Sequence, residues 1–357
     1  MKMKKSVFLF AIICILFTIQ TALAQNPVAT LQHNGTTTVF YGLTCFNDAL
    51  TASVNGDTLN LSAGIITAPS PITKKITIIG AGHFPDSANV VKRTYINGSI
   101  TINKGADSLQ LEGLYLSGNI YYQADASINY VKVRRCNFGG AIFNSTSSSF
   151  AKNFCSFEEC YINAGIDFFY YGDNLLIKHC IITGTIGISN GYTYVACGSI
   201  IHILKSAIID GNIILNSPCN FASYSLGLVS SSLIQNNITF ASFYGASPNN
   251  YLNNLFTFNP NYGTNSSSNN NYINILQSDI FVNQTGSTIN YAHDYHLKNP
   301  STYLGTDGTQ VGIYGSATPF KDNGYPSNPQ VVSKNIGKQT DGSGNLPINI
   351  TVKAQVK

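Results

Sequence analysis

The sequence has little charge and, beyond its N-terminus, no long apolar run. Asp, Glu, Lys and Arg make up 10% of the 357 residues, whereas about one quarter is usual for globular proteins. The net charge of +4 falls to +1 without Lys2, Lys4 and Lys5, so the sequence predicts no basic surface for nucleic acid. No later segment approaches the roughly 20 apolar residues of a transmembrane helix. We therefore expect neither a nucleic-acid partner nor a membrane span in the mature chain.

The N-terminus has the pattern of a secretory signal peptide. Three lysines within Met1–Lys5 precede the mostly apolar segment Ser6–Ile19, and the small-residue site Ala22–Ala24 follows. A basic start, an apolar centre and small residues at the cleavage site are typical of such peptides. We expect residues 1–24 to be removed and the mature protein to be secreted to the periplasm, the cell surface or the medium.

A short motif recurs through the middle of the chain: a strand, a tight bend and a second strand. Its bend residues are spaced by 20 to 32 residues and are Leu114, Cys136, Cys160, Cys180, Asn212 and Asn237. This spacing is typical of one coil of a β-solenoid. A third short segment, opened by glycine, follows several bends, at 118–122, 140–143, 165–169 and 184–188. The sequence therefore predicts an all-β parallel β-helix with three strands per coil.

Stacked coils place equivalent residues directly above one another, about 4.8 Å apart. Asn212 and Asn237 are therefore expected to form a hydrogen-bonded ladder inside the stack. Removal of the signal peptide leaves seven cysteines, an odd number, and a chain of this length can bury a core without disulfides. We expect Cys136, Cys160 and Cys180 to be buried, reduced thiols in the same inward column.

The segments before and after the repeat resemble the pectin-lyase-like superfamily of right-handed parallel β-helices from secreted bacterial proteins. Residues 46–50 resemble its short capping helix, residues 76–80 its first complete coil, and residues 294–315 its closing segment. The resemblance implies a β-helix domain with both caps over residues 25–320. The Asn-rich stretch 261–271 is expected to loosen the coils, and residues 321–357 to form a tail with a flexible linker and one closing strand.

The resemblance also places a binding cleft along one outer face of the coils. Taking Ile120, Ile142, Ile166 and Ile186 as inward residues predicts an aromatic face with one carboxylate: Tyr121, Phe143, Asp167, Tyr170, Tyr171, Tyr192 and Tyr194. Aromatic rings stack on the apolar faces of sugars, so a glycan-binding groove is one interpretation. The alternative is a face that loops cover. Asp167 by itself is insufficient for glycoside hydrolysis, which ordinarily needs two carboxylates.

Charged residues alternate in sign along a second outward column. It runs Glu112, Arg134, Glu158, Lys178, Asp210, and the neighbouring column contains Arg135, Glu159 and His179. Opposite charges on successive coils are expected to form a structural ladder. The alternative is a lyase site in which Arg134 or Lys178 neutralises a uronate and Lys178 or His179 removes the proton.

The sequence lacks the signatures of characterised enzymes in this superfamily, such as the Asn-Thr-Asp and Gly-His-Gly motifs of polygalacturonases. His293, Asp294 and His296 fall within the closing segment and are interpreted as structural, and no metal or other cofactor is expected. The leading hypothesis is a non-catalytic, secreted or surface-displayed protein that binds glycans or serves as a scaffold. A polysaccharide lyase or glycoside hydrolase with an atypical site, drawing on Arg134, Lys178, His179 and Asp167, is the alternative.

Overall fold

The chain forms long parallel β-sheets with few helical residues, an architecture compatible with a β-solenoid. The computed structural model describes residues 26–85, 93–144, 150, 152–168, 171–186, 203–215, 224–226, 229–240, 242–243, 247–322, 324, 326, 329–337 and 339–353. The predicted signal peptide lies outside these residues. Their helices are α1 (Cys45–Ala52), which confirms the predicted short helix, and α2 (Gln277–Ile280). Neither of these helices has the length and apolar character needed to cross a membrane.

A 12-stranded sheet contributes the strands before the bends. It begins with the antiparallel strands β1 (Val28–His33) and β2 (Thr36–Tyr41), with β2 at the edge. β1 also pairs antiparallel with β3, the first of ten parallel strands. These are β3 (Thr58–Leu61), β5 (Thr77–Ile79), β8 (Gln110–Glu112), β11 (Lys132–Arg134), β13 (Ser156–Glu158), β16 (Leu176–Lys178), β20 (Ile208–Asp210), β24 (Ser232–Gln235), β27 (Asn249–Leu252) and β29 (Ser267–Asn269).

A 14-stranded sheet contributes the strands after the bends. Its main path is β4 (Gly64–Thr67), β6 (Thr94–Asn97), β9 (Tyr115–Leu116), β12 (Asn137–Phe143), β14 (Tyr161–Phe168), β17 (Ile181–Ile182), β21 (Ile213–Ile214), β25 (Ile238–Thr239) and β28 (Leu255–Phe256). Its side strands are β7 (Ile100–Ile102), β10 (Ile120–Tyr122), β18 (Thr185–Ile186), β22 (Tyr224–Leu226) and β26 (Ser242–Phe243). A three-stranded parallel sheet completes several coils with β15 (Tyr171–Asp173), β19 (Ile203–Lys205) and β23 (Val229–Ser230).

The inward bend column confirms the alignment made from the repeat. Asn212 Nδ2 lies 2.9 Å from Asn237 Oδ1, and Asn237 Nδ2 lies 3.0 Å from Asn254 Oδ1. The ladder continues to Asn271 at a spacing of 17 residues. The predicted loosening over 261–271 is therefore wrong, because β29 keeps register with β27.

In the coils before Asn212, cysteine thiols occupy the position that asparagine occupies in the later coils. Cys136, Cys160 and Cys180 are buried and free, which confirms the prediction of reduced thiols. Cys180 Sγ lies 3.4 Å from the Cys160 N–H and 3.4 Å from the Phe157 carbonyl oxygen. These two contacts match the amide contacts of Asn237 in geometry, so small polarisable groups preserve the same column without an amide.

The chain from Leu276 to Asp322, called the closing segment below, runs back across the outer face of the 14-stranded sheet. It contains the antiparallel strands β30 (Phe281–Asn283) and β31 (Asp294–Leu297). Its apolar residues form a second core with outward residues of the sheet: Tyr161, Ile181, Ile213, Ile238 and Leu255. Within this segment Tyr291 contacts His83 of an early coil, Leu304 contacts Asn253 of a late coil, and Phe320 stacks on Tyr161. The segment thus connects early and late coils.

The C-terminal tail differs from its prediction. A flexible linker and one closing strand were expected, but β32 (Gln330–Ile336) and β33 (Ile348–Lys353) form an antiparallel hairpin. Ile348, Ile350 and Val352 are each more than half exposed. Their alternation therefore belongs to a hairpin strand and not to a strand that closes the coils.

Candidate binding surface at one corner of the coils

One corner of the coils holds a column of residues in the left-handed backbone conformation. These residues lie one or two positions before strands of the 12-stranded sheet, have φ between 52° and 62°, and are Ser108, Tyr130, Phe154, Asn174, Ser206 and Ser231. The column is called the Tyr130 corner below. Left-handed φ is sterically costly for residues with a Cβ atom, and asparagine tolerates it best among them. Two large aromatic residues in such a column are therefore unusual.

Tyr130 and Phe154 form an exposed aromatic pair at this corner. Tyr130 is 57% exposed and Phe154 50%. Their ring centroids lie 5.1 Å apart and their planes differ by 7°. Stacking stabilises the pair, but both residues leave about half of their surface in solvent. The arrangement presents a flat, apolar edge to solvent.

Hydrogen bonds fix the backbone beneath the two rings. Asp107 Oδ1 accepts from the Asn129 N–H at 3.0 Å, and Asn129 Oδ1 accepts from the Asn153 N–H at 3.0 Å. The N–H of Tyr130 donates to the Asn153 carbonyl, also at 3.0 Å. Because each coil is tied to the next at this point, the rings need little further ordering to receive a ligand.

An open cleft lined mainly by Ser and Asn lies further along the same corner. Its volume is about 720 Å³, and it is lined by Ser231, Ser232, Leu233, Pro248, Asn249, Asn250, Asn265, Ser266 and Ser267. No charged residue lines it. Hydroxyl and amide groups of this kind can exchange hydrogen bonds with neutral hydroxyl-rich ligands. The aromatic pair and the cleft therefore lie on one line parallel to the coil axis.

The predicted aromatic face is only partly within the described residues. Tyr121 is half-buried, and its hydroxyl accepts from Asn119 Nδ2 at 3.0 Å. Asp167 is half-buried on β14, and burial raises the pKa of its carboxyl to about 7. Tyr170, Tyr192 and Tyr194 lie outside the described residues, as does the side chain of Tyr171.

The predicted outward position of Phe143 is wrong. Ala141 pairs with both Ile120 and Ile166, so the outward residue of β12 is Ile142, between Tyr121 and Asp167. Phe143 is buried, with its ring stacked between Tyr122 and Phe168. The sequence alignment matched Gly118 to Gly140, whereas the Gly118 carbonyl accepts the N–H of Gly139. This shift by one residue exchanges the two faces of the strand.

The charged column has the predicted register. Glu112, Arg134, Glu158, Lys178 and Asp210 pair in succession across the 12-stranded sheet. The shortest ion pairs of this region, however, involve the neighbouring column of Arg135, Glu159 and His179. Arg134 and Arg135 both donate to the Glu159 carboxylate, at 2.8 Å and 2.9 Å, and Arg135 Nη1 lies 3.3 Å from Glu112 Oε1.

Two of the candidate catalytic residues, Arg134 and His179, are engaged by other side chains of the protein. The Arg134 guanidinium is bound to Glu159 through both Nε and Nη2. His179 is buried under the closing segment, with Nε2 3.4 Å from Ser316 Oγ, and burial lowers the pKa of its imidazole to about 4. Lys178 is half-buried on the open face of β16. Arg134, Lys178 and Asp167 do not converge on one strand position, since Asp167 lies on the other sheet.

The histidines of the closing segment make local contacts. His296 Nδ1 lies 2.7 Å from Asp294 Oδ1, and the imidazole stacks on Tyr314 at 3.8 Å. Across the described part of the chain, no three His, Cys, Asp or Glu side chains form a group that could hold a metal ion. These contacts are those of a structural pair.

No protein-family model, curated protein or solved structure significantly matches the chain. Sequence reasoning missed Tyr130 and Phe154, although the repeat contained a signal. Each directly precedes an inward residue, Val131 or Cys155, at a position where other coils have serine or asparagine.

Proposed function

We propose that this protein is a secreted or surface-displayed right-handed β-helix, similar in architecture to the pectin-lyase-like superfamily, that binds a glycan without catalysis. The exposed, parallel pair Tyr130 and Phe154 carries the proposal. Sugar rings present apolar C–H faces that pack on aromatic rings, while their hydroxyl groups need polar neighbours. The Tyr130 corner offers both, in the aromatic pair and in the Ser- and Asn-lined cleft.

The arrangement suits a polymer that lies along the coil axis. Equivalent corner residues of successive coils are separated by about 4.8 Å. Phe154 and Ser231 are separated by the coils of Asn174 and Ser206, so the pair and the cleft lie on the order of 15 Å apart. An extended chain of sugars could contact both, whereas a single sugar could contact one.

A polysaccharide lyase or hydrolase is the second candidate, favoured by one observation. Burial raises the pKa of Asp167 to about 7, a value suited to an acid or base near neutral pH. Its described coil neighbour in the outward column is Ile142. The coil of Ile142 therefore supplies no second carboxylate or base beside Asp167. For this reason we favour glycan binding over catalysis.

The test is retention of the purified protein on neutral and acidic polysaccharides, with simultaneous assays for unsaturated and reducing ends. The variant carries Tyr130→Asn and Phe154→Asn, which keep the left-handed backbone favourable. Leu276→Asn is the matched control, because Leu276 is also exposed, at 67%, but lies on the closing segment. We expect the double variant to lose retention at least tenfold and the control to keep it. Equal retention by all three proteins would overturn the binding proposal, and new chain ends would favour the enzyme.

A further inference from the structure

The outer strand of the 12-stranded sheet has an open edge. β2 lies at the end of that sheet and, among the described strands, pairs with β1 alone. Its sequence, Thr-Thr-Thr-Val-Phe-Tyr, contains no charge and no proline. Natural edge strands usually carry charges, prolines or bulges that prevent pairing with another chain. β2 has none of these protections, and Val39 and Tyr41 are 41% and 68% exposed.

The register identifies the backbone groups on this edge. The carbonyl of Val28 accepts from the Ser62 N–H at 2.8 Å and its N–H donates to Ser62 Oγ, so Val28 faces β3 and not β2. Its partner on β2 is Tyr41. Because bonding alternates along an antiparallel ladder, Tyr41, Val39 and Thr37 direct their N–H and C=O groups away from β1.

These three residues form a self-complementary set. When two β2 strands run antiparallel about a two-fold axis at Val39, Val39 lies opposite its own copy and Thr37 lies opposite Tyr41. In that register all three outward residues pair on both strands. A two-fold interface of this kind uses the same patch on each subunit and closes after two copies.

We propose that β2 is a homodimerisation strand and that a second copy of this chain pairs with it antiparallel, centred on Val39. The two 12-stranded sheets then continue into one another. The absence of charge matters, because a charge at residue 39 would lie directly opposite the same charge of the second copy. This inference is independent of the glycan-binding proposal, since β2 contains none of the residues of the Tyr130 corner.

The first test is an engineered disulfide. In the proposed register the two residue-39 Cα atoms lie about 5.5 Å apart, within disulfide range. Two residue-38 side chains lie diagonally, about 7 to 8 Å apart, which is beyond it. Under mild oxidation, Val39→Cys should give a covalent dimer on non-reducing gels, and the control Thr38→Cys should remain mostly monomeric. The native cysteines of the described chain are buried, and wild type oxidised in parallel measures any cross-linking through Cys197 and Cys219.

The second test separates the backbone from the side chain. Val39→Pro removes the outward N–H, whereas Val39→Ala keeps it. By sedimentation at micromolar concentrations we expect wild type and Val39→Ala to be dimeric and Val39→Pro to be monomeric with unchanged circular dichroism. A monomeric wild type would overturn the proposal. So would a dimeric Val39→Pro protein combined with equal cross-linking at residues 38 and 39. If the proline variant fails to fold, the cross-linking pair decides alone.

Discussion

The Arg135 guanidinium lies 2.9 Å from the Glu159 carboxylate of the next coil, and both side chains are buried, at 1% and 7% exposed. Glu159 also receives two hydrogen bonds from Arg134. One carboxylate therefore binds two guanidinium groups, and Arg135 pairs in addition with Glu112 at 3.3 Å. Removing a single partner from such a buried pair leaves an uncompensated charge, which is far more costly than removing an exposed pair.

Glu159→Gln should lower the free energy of unfolding by about 3 kcal/mol at pH 7. Burial alone would raise the pKa of Glu159, but the hydrogen bonds and charges of Arg135 and Arg134 outweigh burial and hold the pKa below its ordinary value of 4.5. This stabilisation is present above pH 4.5 and is lost as the pH falls through the lower, folded pKa. Urea unfolding at several pH values should therefore show a weaker acid dependence in the variant.

Glu158→Gln is the control for that experiment. Glu158 is 23% exposed and lies 3.7 Å from Lys132. Exposed pairs contribute about 0.2 to 1 kcal/mol, so we expect a loss within that range. Equal losses at positions 158 and 159 would contradict the assignment of Glu159 as the central carboxylate.

Asn237→Ala should destabilise the coils by about 3 kcal/mol, because each buried hydrogen bond contributes roughly 1 kcal/mol and orphaned partners add to the loss. Asn237 accepts from Asn212 and donates to Asn254 and to the Ile209 carbonyl. Asn237→Cys should cost clearly less, since Cys180 fills the same position with equivalent sulfur contacts. Chemical denaturation of both variants tests this order, and a cysteine variant no better than alanine would count against equivalence.

The free energy of unfolding of Asp167→Asn, relative to that of wild type, should increase as the pH rises. Burial raises the pKa of Asp167 from 3.8 to about 7, so the folded wild type loses stability as the pH increases between these values. The variant has no such loss, and its advantage at pH 8 should be on the order of 1 to 3 kcal/mol. Thermal unfolding across this pH range measures the effect, with the exposed Asp279→Asn as control. Parallel curves for wild type and Asp167→Asn would refute the raised pKa.

Tyr130→Asn should change the free energy of unfolding by less than about 1 kcal/mol. Relief of the steric strain of tyrosine in the left-handed backbone conformation stabilises the fold by roughly 1 to 2 kcal/mol. Loss of the ring stack with Phe154 destabilises it by about 0.5 to 1.5 kcal/mol. The two effects nearly cancel. A large destabilisation in urea would mean that the pair is part of the structural core and would weaken the binding proposal.

The repeat predicted the parts of the fold that depend on contacts between equivalent residues. Asn212, Asn237 and the cysteine column could be aligned because each coil needs a small or amide-bearing residue at the same inward position. Phe143 could not be placed, because Gly139 and Gly140 are adjacent and either could be aligned with Gly118. Because side chains alternate between the two faces of a strand, an alignment error of one residue exchanges the predicted faces.

The closing segment could not be predicted in detail, since its contacts join residues far apart in sequence. The Tyr291 hydroxyl contacts His83 Nδ1 across 208 residues. The repeat in the sequence gives no information on such a long-range contact. The burial of His179 depends on the same segment, so its availability as a base could not be judged from the repeat either.

The closing segment also has a consequence for how the molecule unfolds. In a stack where every coil touches only its neighbours, the end coils can fray independently of the middle. Here the closing segment contacts Asn253 in a late coil. Through Tyr291 it also contacts His83 in an early coil, so it spans the coils between them. The coils between these two contacts cannot separate without releasing the closing segment, so their partial unfolding is penalised and they should melt in a single cooperative transition.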